Sequence, residues 1–124
     1  MHSILRALAC ATAVLVPALA GVSGAAAQAF PTKPIRLVVP FAPGGASDVL
    51  ARLVGQKLSE RWGQPVVVEN KPGAATTLGA AEVARAPADG YTVMLAPAPF
   101  VIAPLMYQKL TYDAVRDFTG VALL

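Results

Sequence analysis

Short apolar runs alternate along the chain with longer segments of helical periodicity, and this alternation most constrains the fold. Ile35–Val39 is a β-branched run bounded by prolines, which predicts a buried strand. Within residues 49–58 apolar side chains recur at helical spacing, and Gly63 follows Trp62 as the expected left-handed C-cap. The order of strand and helix then repeats, which predicts parallel βαβ units, an α/β class and helices on both faces of the sheet.

The later units carry the same pattern less strongly. Residues 65–69 and 91–95 are predicted strands, and the Ala-rich stretch 78–86 is a predicted helix. Beyond a proline-rich break we expect a short helix near residues 105–109, and residues 120–124 are a candidate fourth strand. A chain of 124 residues that ends in a candidate strand would bury little core and leave an open sheet edge. We therefore expect the front part of a longer protein.

Residues 1–29 have the layout of a secretory signal peptide. A basic start precedes the apolar residues 7–27, and no acidic residue occurs before Asp48. Small residues at the end of this stretch predict cleavage before Gln28 or Phe30, and hence a periplasmic protein that begins near residue 30. An uncleaved membrane anchor is the alternative, and Pro17 and Gly21 argue against it because they interrupt the apolar run.

Residues that carry catalysis are scarce. The only histidine, His2, and the only cysteine, Cys10, both lie in the predicted signal peptide. The mature chain therefore has no Ser–His pair, no thiol nucleophile and no histidine or cysteine metal site. Its seven carboxylates show no paired spacing typical of acid and base roles. We expect no enzymatic activity and no cofactor, and the scattered single charges indicate no nucleic-acid partner.

The turn P-F-A-P-G-G-A-S-D, residues 40–48, is the strongest candidate for a binding site. It follows a predicted parallel strand, and ligands of open α/β sheets bind at the carboxyl ends of the strands. Gly44 and Gly45 allow close backbone approach, and the free N–H groups of the next helix favour an anion. This predicts a carboxylate or a similar small anion. The alternative is a plain strand-to-helix turn, with Ser47 as a helix cap and Asp48 stabilising the first helical turn.

The motifs P-F-x-x-G-G-x-x-D, E-N-K-P-G-A and D-G-Y at their spacings closely resemble the Bug family, the extracytoplasmic receptors of tripartite tricarboxylate transporters. The resemblance covers residues 30–124. It implies a two-lobed periplasmic binding protein that closes over a small carboxylated solute and delivers it to a membrane permease. Residues 30–124 would then form a partial N-terminal lobe.

The resemblance also implies that two loops line the ligand cleft. In the second loop, Thr76 and Thr77 stand where relatives often have glycine and asparagine, so we expect a less flexible loop that offers two hydroxyls. The role of Asp48 stays open: it could contact an amino group of the solute or brace the loop. The implied site residues are Phe41, Ala42, Gly44, Gly45, Ala46, Ser47 and Asp48 in the first loop and Ala74, Ala75 and Thr76 in the second.

Three functions compete at this point. The first is a receptor for a small carboxylate, or the front of one. The second is a phosphate- or nucleotide-using α/β domain, but neither the P-loop G-K-[ST] nor the dinucleotide G-x-G-x-x-G follows the first strand. The third is a fragment of such a receptor without function of its own.

Overall fold

A computed structural model describes residues 29–124, so the predicted signal peptide lies outside the described residues except for Ala29. The described part contains three strands, three α-helices and one short 3-10 turn. In chain order these are β1 (Ile35–Val39), α1 (Ala46–Trp62), β2 (Val66–Asn70), the turn Ala74–Thr76, α2 (Thr77–Ala84), β3 (Thr92–Met94) and α3 (Ala98–Met106).

The three strands form one parallel sheet in the order β2-β1-β3. Leu37 of the central strand lies between Val68 on one side and Val93 on the other. Val38 and Val39 are completely buried, as the uninterrupted apolar run in β1 requires of a strand covered on both faces. The predicted α/β class with parallel βαβ units is confirmed.

Helices cover both faces of the sheet, as predicted. Leu37 and Val39 of β1 form a core cluster with Ala51 of α1 on one face, and Val93 packs against it. Met94, the next residue along β3, packs against the second cluster, which contains Phe100 of α3. Successive side chains of a strand point to opposite faces, so α1 covers one face and α2 with α3 covers the other.

Helix α1 ends where the sequence predicts. The side of the helix that packs against the sheet, however, is not its apolar stripe. Gly63 is its C-cap, with a φ of 66° and its N–H donated to the Ser59 carbonyl at 3.0 Å. The residues that it buries are Asp48, Ala51 and Gly55. Three members of the apolar stripe seen in the sequence are exposed instead, because small residues let the helix pack closest to the sheet: Val49, Leu50 and Leu53.

Two predictions at the C-terminal end are wrong. The last helix is Ala98–Met106 rather than residues 105–109, because its N-cap is Pro97 and Pro99 lies in the first turn, where a missing N–H is tolerated. Residues 120–124 form no strand. Leu123 is fully exposed, and an apolar run becomes a strand only when a neighbouring strand pairs with it. None of the helices in residues 29–124 combines the length and the apolarity that a membrane crossing needs.

Candidate ligand-binding site

The first loop connects the end of β1 to the start of α1 at the carboxyl edge of the sheet. Residues 41–47 line a shallow, solvent-open concavity of about 580 Å³. Gly44 has a φ of 85° and open space around it, so the turn uses the conformational freedom that its glycine provides. All first-loop residues implied by the sequence line this concavity except Asp48: Phe41, Ala42, Gly44, Gly45, Ala46 and Ser47.

Three backbone N–H groups at the start of α1 are available to a ligand. Gly45, not Ser47, is the N-cap, which corrects the alternative that Ser47 caps the helix. The N–H groups of Asp48 and Val49 both donate to the Gly45 carbonyl at 3.0 Å. Those of Gly45, Ala46 and Ser47 have no acceptor within the described part of the chain. Donors of this kind, together with the dipole of a helix, favour an anion.

Asp48 braces the first loop from below. The residue is 4% exposed, and its Oδ2 accepts from the Gly44 N–H at 2.9 Å and from Arg52 Nε at 3.0 Å. Its Oδ1 accepts from Asn70 Nδ2 at 3.0 Å and pairs with Arg52 Nη2 at 3.0 Å. The hydrogen bond from Arg52, then those from Gly44 and Asn70, lower the pKa of the Asp48 carboxyl from its ordinary 3.8 to about 2. Asp48 is therefore charged and engaged inside the loop.

Asn70, at the end of β2, begins the turn that the sequence places at this sheet edge, but it is not among the implied site residues, and its hydrogen bonds to the first loop are not predicted. Its Nδ2 donates to the Phe41 carbonyl at 3.1 Å as well as to Asp48, and its Oδ1 accepts from Arg52 Nη2 at 3.3 Å. A signal was present, since Asn70 follows a predicted strand and so lies at the same sheet edge as the first loop.

The second loop is a left-handed turn built without glycine at three successive positions. The φ angles of Ala74, Ala75 and Thr76 are 45°, 48° and 79°, and the Thr76 N–H donates to the Gly73 carbonyl at 3.1 Å. The expected pair of free hydroxyls is wrong. Thr76 is 2% exposed, and Thr77 Oγ1 donates to the Ala74 carbonyl at 2.8 Å.

Among the described residues, Asp48 and Asn70 hydrogen-bond to the first loop but not to the second. Asn70 and Asp48 tie the first loop to the end of β2. Within residues 29–124, no hydrogen bond joins Ala74, Ala75 or Thr76 to the first loop. Ala74 and Ala75 are exposed and Thr76 is buried, and none of the three lines the concavity of the first loop.

A larger cavity of about 710 Å³ lies beside α2, with Lys71, Arg85 and Lys109 among its lining residues. Asn70, which hydrogen-bonds to the first loop, also lines this cavity, but none of residues 41–48 does. The first loop remains the better candidate because its free backbone donors lie together at a helix start. The part of the chain that the structure describes holds no cluster of three metal-ligating side chains.

Comparisons with known proteins agree with this architecture. Residues 50–124 match the family described as "Tripartite tricarboxylate transporter family receptor". A UPF0065 protein of Bordetella bronchiseptica is 45% identical over 124 residues, which cover 98% of this chain and 37% of that protein.

Two solved structures are similar in fold and sequence. The periplasmic binding protein BugD matches 72% of this chain and 30% of its own at a TM-score of 0.68 and 43% identity. MatC from Rhodopseudomonas palustris, solved with bound malate, matches 77% of this chain and 33% of its own at a TM-score of 0.69 and 42% identity. The chain spans about a third of the length of these relatives. It belongs to the Bug family of receptors for tripartite tricarboxylate transporters.

Proposed function

We propose that this chain supplies the first wall of an extracytoplasmic receptor that binds a small carboxylate and delivers it to a tripartite transporter permease. The wall consists of the first loop, residues 41–48, together with the exposed Ala74 and Ala75 of the second loop, and the buried Thr76 would act by holding that loop. The protein would reach the periplasm through cleavage of the signal peptide predicted in residues 1–29.

The observation that carries this proposal is a set of N–H groups, those of Gly45, Ala46 and Ser47 at the start of a 17-residue helix, for which residues 29–124 provide no acceptor. A carboxylate accepts several such bonds at once, and the helix dipole adds to their attraction. Arg52 is paired with Asp48 at 3.0 Å, so its charge is already balanced within the protein. The relative MatC has bound malate, a dicarboxylate, which supports the same ligand class here.

A site that contacts its ligand from one side only has a limited affinity. Receptors that close two lobes exclude water and gain polar contacts from both walls. Each contact from an open loop exchanges a water hydrogen bond for a ligand hydrogen bond and gains about 1 kcal/mol. A few such contacts barely offset the freedom lost on association, so we expect dissociation constants of about a millimolar or weaker for this chain.

The test is a titration of the chain, after removal of the predicted signal peptide, with malate, citrate, glutamate and nicotinate, with inorganic phosphate as the competing anion class. We expect carboxylates to shift the amide resonances of Gly45, Ala46 and Ser47 at millimolar concentration. A response to phosphate alone would favour a phosphate-binding domain. Micromolar binding by a monomeric chain would contradict the proposal that one wall of a larger receptor is present.

Export is tested separately by the intact mass of the protein recovered from the periplasm. We expect the loss of residues 1–27 or 1–29, because small residues precede both positions. A product that retains Met1 and partitions with membranes would contradict export by a cleaved signal.

A further inference from the structure

We infer that Asp48, Arg52 and Asn70 form a buttress that preorganises the first loop, and that Asn70 is the residue that couples this loop to the end of β2. The ligand part of this inference rests on the proposed function, whereas the loop-ordering part does not. We call these three side chains the buttress.

The carboxylate of Asp48 is occupied by partners within the protein. It accepts three hydrogen bonds at 2.9–3.0 Å, from Gly44 N–H, Arg52 Nε and Asn70 Nδ2, and Arg52 Nη2 lies 3.0 Å from its Oδ1 as an ion-pair contact. A solute ammonium group would have to displace one of these donors from a residue that is 4% exposed. Asp48 therefore acts through the loop rather than by touching the ligand.

The side-chain amide of Asn70 also has no free N–H donor among the described residues. Both hydrogens of its Nδ2 are used, one to the Phe41 carbonyl at 3.1 Å and one to Asp48 Oδ1 at 3.0 Å. Phe41 lies at the start of the first loop, and Asp48 in turn holds the Gly44 N–H near its tip. One amide thus fixes the loop at two points, directly and through Asp48. The backbone beyond it is also anchored, because the Lys71 N–H donates to the Val39 carbonyl at 2.8 Å.

The loop needs this support because its own residues provide little. Gly44 and Gly45 have no side chain to pack, and glycine loses more backbone freedom on ordering than any other residue. Donors that are already converged cost a ligand less on binding than donors it must order. The buttress also neutralises Arg52, so the loop presents neutral backbone donors rather than a side-chain cation.

The experiment compares Asp48→Asn, Asn70→Ala and their double variant with Glu60→Gln in the 124-residue chain. Glu60 is a matched control because it lies on the same helix and pairs with Lys57 at 2.8 Å, but it is exposed and far along α1. Amide hydrogen exchange of Gly44 without ligand reports loop order, and malate titration reports ligand affinity.

We expect each buttress variant to exchange the Gly44 amide about tenfold faster and to bind malate about tenfold more weakly, while Glu60→Gln matches the wild-type chain. The double variant should lose little more than the larger single effect, since residues that act as one unit are not additive. Asn70→Leu replaces Asn70→Ala if the latter does not fold, because leucine is similar in shape to asparagine and removes the same donors without adding a charge beside Asp48.

Unchanged Gly44 exchange in a folded Asn70 variant would overturn the inference. Weaker malate binding without a change in exchange would also overturn it, since the loop would then not be what Asn70 orders. If the wild-type chain binds none of malate, citrate, glutamate and nicotinate and the exchange rates still rise, the buttress stands and the proposed function fails.

Discussion

Thr76 and the two residues before it, Ala74 and Ala75, occupy backbone conformations that L-residues avoid. A left-handed conformation costs a non-glycine residue about 1–2 kcal/mol, and Thr76 adds β-branching and a buried Oγ1 with no partner in the described chain. The turn is held by packing instead: Thr76 is 2% exposed, and the turn contacts α3. Such local strain is typical of ligand-contacting segments, which agrees with its proposed place in the second loop.

The substitution Ala75→Gly should therefore stabilise the protein. Ala75 is exposed and has a φ of 48°, so glycine removes the left-handed penalty without creating a cavity. Against that gain stands the greater unfolded-state freedom of glycine, which leaves a net increase of about 0.5–1 kcal/mol in the free energy of unfolding. Ala81→Gly, in the regular helix α2, should lower it by about 1–2 kcal/mol, because the variant loses helix propensity and the buried methyl group of Ala81. Denaturant unfolding of both variants measures this, and equal losses would show that Ala75 is not strained.

Asp48 should give the first loop a distinct acid dependence. Its pKa in the folded chain, about 2, is below its ordinary value of 3.8. Its contribution to stability is therefore complete above about pH 4 and is lost as the pH falls through about 2. The carboxyl carbon resonance of Asp48 should titrate with a midpoint near 2, and the Gly44 amide should follow it. Asp48→Asn should abolish that amide transition, whereas a midpoint near 3.8 would mean that the buttress is not formed in solution.

At the scale of elements, two glycines inside helices face the sheet with different clearances. A Cβ on Gly55 of α1 would meet Val66 Cγ1 at 3.4 Å, which is an ordinary side-chain contact. A Cβ on Gly79 of α2 would lie 3.0 Å from Pro40 Cβ and 3.1 Å from the Lys71 carbonyl oxygen. Pro40 is fully buried, so α2 can approach the carboxyl ends of β1 and β2 only because position 79 lacks a side chain.

Alanine substitutions at these glycines should have opposite effects. Both gain about 1 kcal/mol of helix propensity, so the difference between them isolates the packing. We expect Gly55→Ala to raise the free energy of unfolding by up to about 1 kcal/mol, and Gly79→Ala to lower it by about 1–3 kcal/mol through overpacking. Thermal unfolding of the pair is the measurement. A stabilised Gly79→Ala variant would mean that α2 lies farther from β1 than described here.

Elements with a strong local pattern were predictable, and those that depend on neighbours were not. The apolar run of β1 and the Gly63 cap of α1 have local causes, and both are confirmed. The start of α3 is not evident from the sequence because closely spaced prolines such as Pro97 and Pro99 usually indicate a break, whereas here they suit the first helical turn. The candidate strand at residues 120–124 failed because strand formation depends on a partner, which no local pattern supplies.

The site divides in the same way at the scale of the whole molecule. The position of the first loop follows from its glycines and from the parallel sheet, so the sequence sufficed to locate it. The buttress joins residues 22 positions apart in the chain through Asn70 and Asp48. Its geometry follows from the register of β1 with β2, which places Asn70 opposite Val39, and no single motif contains that information.

The central claim is that backbone donors at the start of α1 bind a carboxylate, and Ala46→Pro tests it most directly. Proline deletes the Ala46 N–H at the first helical position, where it is well tolerated, and Gly45 before it already has the extended φ of −81° and ψ of 172° that proline requires. Ala46→Ser keeps the N–H and serves as the control. The measurement is the malate dissociation constant of both variants by amide-resonance titration. We predict that Ala46→Pro remains as stable as the wild-type chain and binds malate about tenfold more weakly than Ala46→Ser. Equal affinities of the two variants would contradict the claim.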